Sequence, residues 1–245
     1  MVALDRYYGQ VWEDQSIPVY VPLKPHPRVF PYPTKFNERP TEADTTPEYI
    51  EFEYIDALRA DPTNVTFLAK VKSSDKKLVI KFVDRYGVEA HQLLAVEKMA
   101  PQLLYCGLLD GKSDVRDAGD HAQGSIGRGG LYLGPMRMVI TEHIKGNTAD
   151  EVSTWPNGAR EEIKKAIQKL HDAQLVFGDL RGPNIMFSEN RVFLIDFDWA
   201  GRVNEARYPR HLSGRVAWPG DVEELEMKPI LMDHDLTMLE RLFSQ

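Results

Sequence analysis

A chain of 245 residues, 42% hydrophobic and 27% charged, has the composition of a globular protein, with length for one large core or two closely joined ones. A net charge of -7 makes nucleic acid an unlikely partner, because attraction to a phosphate backbone would need a local basic patch. The single cysteine, Cys106, excludes an intrachain disulfide and fits a reducing compartment. Met1 to Asp14 has no targeting pattern and no apolar run is long enough to cross a bilayer, so the expectation is a soluble, cytoplasmic protein with no membrane partner.

Residues 1–47 read as a Pro-rich arm. Between Ser16 and Pro47 lie half of the chain's 16 prolines, which remove backbone donors and favour an extended path; Val19, Val21, Phe30, Tyr32 and Phe36 would pack it on the body. The same composition makes the arm a candidate ligand for a protein partner. After Glu48, Phe52–Leu58, Val65–Val71 and Leu78–Val83 alternate as strands, joined by turn-like stretches at Ala60–Asn64 and Ser73–Lys77, and predict an antiparallel meander. Tyr86–Met99 has helical spacing and stops before Pro101; Gln102–Cys106 is a further strand.

Residues 110–134 read as a long flexible loop. Gly124, Gly127, Gly129 and Gly130 do not make it a phosphate-binding loop, because Met136–Glu142 continues as a strand where such a loop requires a helix. Ala159–Gln174 is an amphipathic helix with Ile163, Ala166, Ile167 and Leu170 on one face. Ile185–Phe187 and Val192–Ile195 flank a tight turn, and His234–Phe243 closes the chain as a helix.

The chemistry concentrates in Val176-Phe177-Gly178-Asp179-Leu180-Arg181-Gly182-Pro183-Asn184, followed after a hairpin by Asp196-Phe197-Asp198. Phosphoryl transfer needs a carboxylate near an attacking hydroxyl and hard oxygen ligands for Mg²⁺, and an Asp, an Asn and a second Asp on neighbouring loops can supply both. These residues resemble the catalytic and metal-binding loops of the protein-kinase-like superfamily. The form is similar to the His-Gly-Asp-Leu pattern of aminoglycoside phosphotransferases, Rio-type kinases and fungal kinase-like proteins.

The resemblance implies an α+β, bilobal protein-kinase-like fold: a small antiparallel-sheet N-lobe over 48–144 and a reduced, mainly helical C-lobe over 145–245. It implies ATP and Mg²⁺ as cofactors and a phosphotransferase acting on a hydroxyl of an unknown protein or small molecule. Asp179 would be the catalytic base, and Asn184 and Asp196 the metal ligands. Lys81, in Leu78-Val79-Ile80-Lys81-Phe82, would hold the ATP phosphates, with Glu89 as its ion-pair partner and Glu97 as the rival. Thr141 would face the adenine, and the backbones of Glu142 and Ile144 would bond its edge. Asp235 is either a brace behind the catalytic loop or a carboxylate at a helix start.

Several positions depart from the family pattern. The stretch Phe52–Val71 has no glycine to approach a phosphate, Phe177 stands for a His, and Asp198 stands for the Gly of Asp-Phe-Gly. Only 47 residues follow Asp198, and no Ala-Pro-Glu segment occurs among them. These departures keep a second expectation open, a pseudokinase serving as a nucleotide-binding or scaffolding module. Likeness to the small kinase of the KEOPS complex would suggest an RNA-linked regulator, against which the acidic balance weighs.

Overall fold

The structure, a computed structural model, describes residues 33–37, 49–58, 66–109 and 136–244. Most of the Pro-rich arm, the Asp61–Asn64 turn and the 110–134 loop fall outside these residues. A six-stranded antiparallel sheet is built from β1 (Lys35–Asn37), β2 (Tyr49–Ala57), β3 (Thr66–Val71), β4 (Lys77–Val83), β5 (Leu103–Leu108) and β6 (Arg137–Glu142). The order is β1-β2-β3-β4-β6-β5. Thus the expected meander is present, and residues 35–37 of the arm add an edge strand whose Phe36 is fully buried.

Side-chain alternation along each strand divides the sheet's two faces. Phe67, Ala69, Leu78, Ile80, Phe82, Met138 and Ile140 join Phe36, Phe52 and Tyr105 in one apolar cluster. Tilted and edge-on rings run through it, such as Phe52 against Tyr54 at 5.5 Å and Phe67 against Phe82 at 6.2 Å. The residues between them, Val79, Lys81, Val139 and Thr141, take the opposite face. Antiparallel register sets Val79 beside Thr141 and Lys81 beside Val139.

Helix α1 (Val88–Val96) is shorter than the sequence spacing suggests. It starts after Gly87, whose N–H is tied to the Phe197 carbonyl at 2.8 Å, and it is over by Lys98, which takes a φ of 58°. The rest of the chain comprises β7 (Asn147–Thr148), α2 (Ala159–Asp172), β8 (Leu175–Val176), a 3₁₀ turn (Gly182–Asn184), β9 (Ile185–Ser188), β10 (Arg191–Leu194), β11 (Gly201–Arg202), α3 (Val222–Leu225) and α4 (Met232–Phe243). The hairpin β9–β10 turns on Glu189 and Asn190, both at positive φ, the geometry that suits the twist of a two-residue loop.

Helix α2 buries Ile163, Ala166, Ile167 and Leu170 on one stripe, and carries Glu161 and Glu162 in its first turn and Lys169 in its last, as the helix dipole favours. That stripe belongs to a second apolar cluster, which also takes in Leu94, Val176, Phe177, Leu194, Phe197 and Met238. Cys106 is buried in the same cluster as a core filler. No helix among the described residues is long and apolar enough to cross a membrane.

Candidate functional site

Helix α2 ends at Asp172, and β8 leads the chain into the loop that carries Asp179. Gly178 sits there at a φ of 82°, which favours glycine, and a Cβ on it would lie 2.7 Å from Ile230 Cδ1, which would have to shift. From behind, Asp235 of α4 accepts the N–H groups of Phe177 at 2.8 Å and Gly178 at 2.7 Å, and meets His171 Nε2 at 3.1 Å. Asp235 is completely buried. Of its two sequence readings, the brace behind the loop is the one these bonds describe.

At the end of this loop Asn184 Nδ2 donates to the backbone oxygen of Asp179 at 2.9 Å and to its Oδ2 at 2.8 Å. Arg181 forks onto the same carboxylate, Nε to Oδ1 at 2.5 Å and Nη2 to Oδ2 at 2.9 Å. Burial pushes the Asp179 pKa up and the Asp196 charge adds to it; Arg181 and Asn184 oppose the rise, which persists. The Ile195 N–H donates to the Asn184 carbonyl at 2.9 Å, which sets the Asp196 loop beside the Asp179 loop.

Asp196 adopts a φ of 68°, an uncommon left-handed conformation for a non-glycine residue. Its Oδ1 accepts from Lys81 Nζ at 2.7 Å, and Asp198 Oδ2 accepts from the same ammonium at 2.6 Å. Burial works against the Lys81 charge, but the two carboxylates outweigh it and hold the lysine above its ordinary value. For Asp196, burial is overcome by Lys81 and the pKa is lowered. Asp198 goes the other way: burial and the Asp196 charge, opposed by Lys81, raise it to about 7.

Between the sheet and these loops lies a cavity of about 470 Å³. Lys81, Thr141, Glu142, Ile144, Asn184 and Asp196 all line it, so the structure gathers the sequence-predicted nucleotide residues into one cleft. Glu142 gives its N–H to the Gln102 carbonyl at 3.0 Å.

Glu89 is the exception. Its carboxylate pairs with Arg202 at 2.8 Å on the surface, and Glu97 pairs with Lys169 at 2.9 Å, so neither reaches Lys81. The reason is helical phase. The buried face of α1 is Val88, Ala90, His91, Leu94 and Ala95, and Glu89 stands off it. His91 takes the inward place, bonded to Tyr86 Oη and the Pro101 carbonyl, both at 2.7 Å, and stacked on Phe197 at 4.4 Å with 3° between the rings. The Phe177 ring lies edge-on to Phe197, at 5.3 Å and 86°. Phe177 thus serves as an apolar support for Phe197.

Sequence reasoning missed Asp198 and Arg181 as members of the site. The only signal was chemical: an acid two residues after Asp196, and an arginine two residues after Asp179. Among the described residues no group of three or more His, Cys, Asp and Glu is arranged to hold a metal alone. The donors nevertheless suit a hard cation shared with a ligand. Two carboxylates face one ammonium, and Asp198 Oδ1 is buried without a hydrogen-bond partner.

No family model matches the chain, and no curated protein matches it. Among solved structures, the chain is similar in fold to vaccinia related kinase 3, with a TM-score of 0.51 and 15% identity over 87% of this chain and 67% of that one. Identity that low speaks for architecture alone. At the coarse level, the fold is that of the protein kinases.

Proposed function

We propose that the chain is an ATP-dependent phosphotransferase with a compact, two-lobed kinase architecture, the sheet side over residues 48–144 and the helical side over 145–245. The observation that carries the reading is the convergence of Lys81, Asn184 and Asp196 on one cleft beside Asp179. Bound Mg-ATP would supply the transferable phosphoryl group and a cation to offset its charge. Asn184 and Asp196 would hold the metal, Lys81 the phosphates, and Thr141 with the Glu142 and Ile144 backbones the adenine. Asp179 would orient the acceptor hydroxyl and take its proton.

A second reading is a pseudokinase, a nucleotide-binding or scaffolding module without turnover. It is favoured by one observation: Arg181 and Asn184 together occupy both oxygens of Asp179.

Thermal-shift titration with ATP, with and without Mg²⁺, tests the shared element of both readings. Ligand at about a hundred times its Kd adds ~2.7 kcal/mol of stability, a visible rise in Tm. A flat response in both titrations overturns the transferase and the nucleotide-binding role together, and leaves the scaffold. Asp179→Asn separates the two: as a transferase the chain loses about 10²–10⁴ in phosphoryl transfer, the worth of general-base help, while the Mg-ATP shift persists. A wild-type chain that binds Mg-ATP and phosphorylates no member of an acceptor panel leaves the scaffold.

A further inference from the structure

Residues 180–183, just after Asp179, line a second cavity, of about 690 Å³. Arg160, Arg181, Arg215 and Arg241 reach it from four separate stretches of chain, against one acid, Asp150. Such a concentration of guanidinium runs against the acidic balance of the whole molecule. Among the described residues, Arg160, Arg215 and Arg241 have no carboxylate partner.

Trp218 holds part of this array in place. Arg181 lies over its ring at 5.7 Å, Arg241 donates to its backbone carbonyl, and its own Nε1 donates to the Ser213 carbonyl at 2.8 Å. Arg160 lies over the Phe243 ring at 5.1 Å. Two of the cations are thus placed by aromatic faces and one by a peptide oxygen, which position guanidinium without cancelling its charge.

We infer that this cleft receives the phosphate acceptor, and that the acceptor is a small hydroxyl compound carrying a phosphate or carboxylate group of its own; this rests on the phosphotransferase reading. Guanidinium forks match the paired oxygens of both groups. The volume falls within the range of small-molecule sites.

The cleft is also wired to the base. Arg181 lines it while gripping Asp179, so an anion that draws Arg181 across frees the carboxylate for the acceptor hydroxyl. In the transfer, that hydroxyl oxygen forms a bond to the γ-phosphorus and the bond from this phosphorus to the β,γ-bridging oxygen breaks. The electron pair leaves with ADP, and the hydroxyl proton goes to Asp179 and on to water. Binding of the correct acceptor and exposure of the base become one event.

The test uses the full chain with its nucleotide cleft filled by Mg²⁺ and a non-hydrolysable ATP analogue, titrated with inorganic phosphate by calorimetry. The expected result is saturable binding that weakens with salt and falls at least about tenfold in the Arg160→Ala/Arg215→Ala double variant, as loss of charge-assisted hydrogen bonds predicts. The variant's Tm and its response to the nucleotide analogue check that it is folded. Equal phosphate affinity in the two proteins, or no saturable binding by wild type at millimolar phosphate, overturns the inference. Transfer assays with sugar phosphates, hydroxy acids and neutral sugars then tell phosphate from carboxylate as the anchor; preference for the neutral sugars also overturns it. If the analogue fails to bind, the phosphotransferase reading falls by itself, and the arginine comparison repeated without it still decides whether the cleft takes an anion.

Discussion

At the scale of single residues, Asp198 carries the sharpest electrostatic signature. Its carboxyl is raised from 3.8 to about 7, burial first and Asp196 second, so the folded protein holds a proton there that the unfolded chain has released. The native state then binds more protons than the unfolded state between those two values, and stability falls as pH rises through that window. Asp198→Asn removes this group's contribution. Measured by urea unfolding in EDTA, its stability relative to wild type is expected to climb from about pH 4 to about pH 7 and then level off. A constant difference across that range would show that the carboxyl is not perturbed. The identities at Asp179, Asn184 and Asp196 were legible in the sequence because their spacing brackets a hairpin. The part played by Asp198 and Arg181 was not, since it depends on loop dihedrals, such as the positive φ at Asp196, that a residue name does not announce.

The elements meet most tightly where α4 backs the loop after β8. One carboxylate there satisfies two buried N–H groups and faces a histidine. Replacing it by alanine strands both donors, each costing about 1–3 kcal/mol, so Asp235→Ala is expected to lose roughly 2–6 kcal/mol in chemical denaturation. Asp235→Asn, which keeps one acceptor oxygen, should recover part of that; a loss under about 1 kcal/mol for alanine would mean the loop does not depend on this anchor. Amphipathic spacing made α2 and α4 readable, each to within two residues at every end. For α1 the spacing overran: Tyr86 and Met99 fit a helical pattern, but the bond from Gly87 to the Phe197 carbonyl and the left-handed Lys98 are tertiary and local facts that periodicity does not contain. The edge strand β1 escaped notice because prolines on either side dominate its composition.

Across the whole molecule, strand alternation made the antiparallel sheet foreseeable, and the placement of Lys81 and Thr141 on one face follows from period two. The pairing of Lys81 did not follow, because the phase of α1 against the sheet is decided by packing around Phe197, with His91 winning the inward place. Glu89→Ala therefore removes only a surface ion pair, worth under about 1 kcal/mol of stability, and phosphoryl transfer and the Mg-ATP thermal shift are expected to stay near wild type. Loss of transfer comparable to that of a Lys81→Ala chain would restore Glu89 to the reaction. Lys81 is joined to both acids of a single loop, and Phe197 between those acids is fastened to α1 through the Gly87 N–H and the His91 ring, so a rocking of α1 would carry to the ammonium's partners.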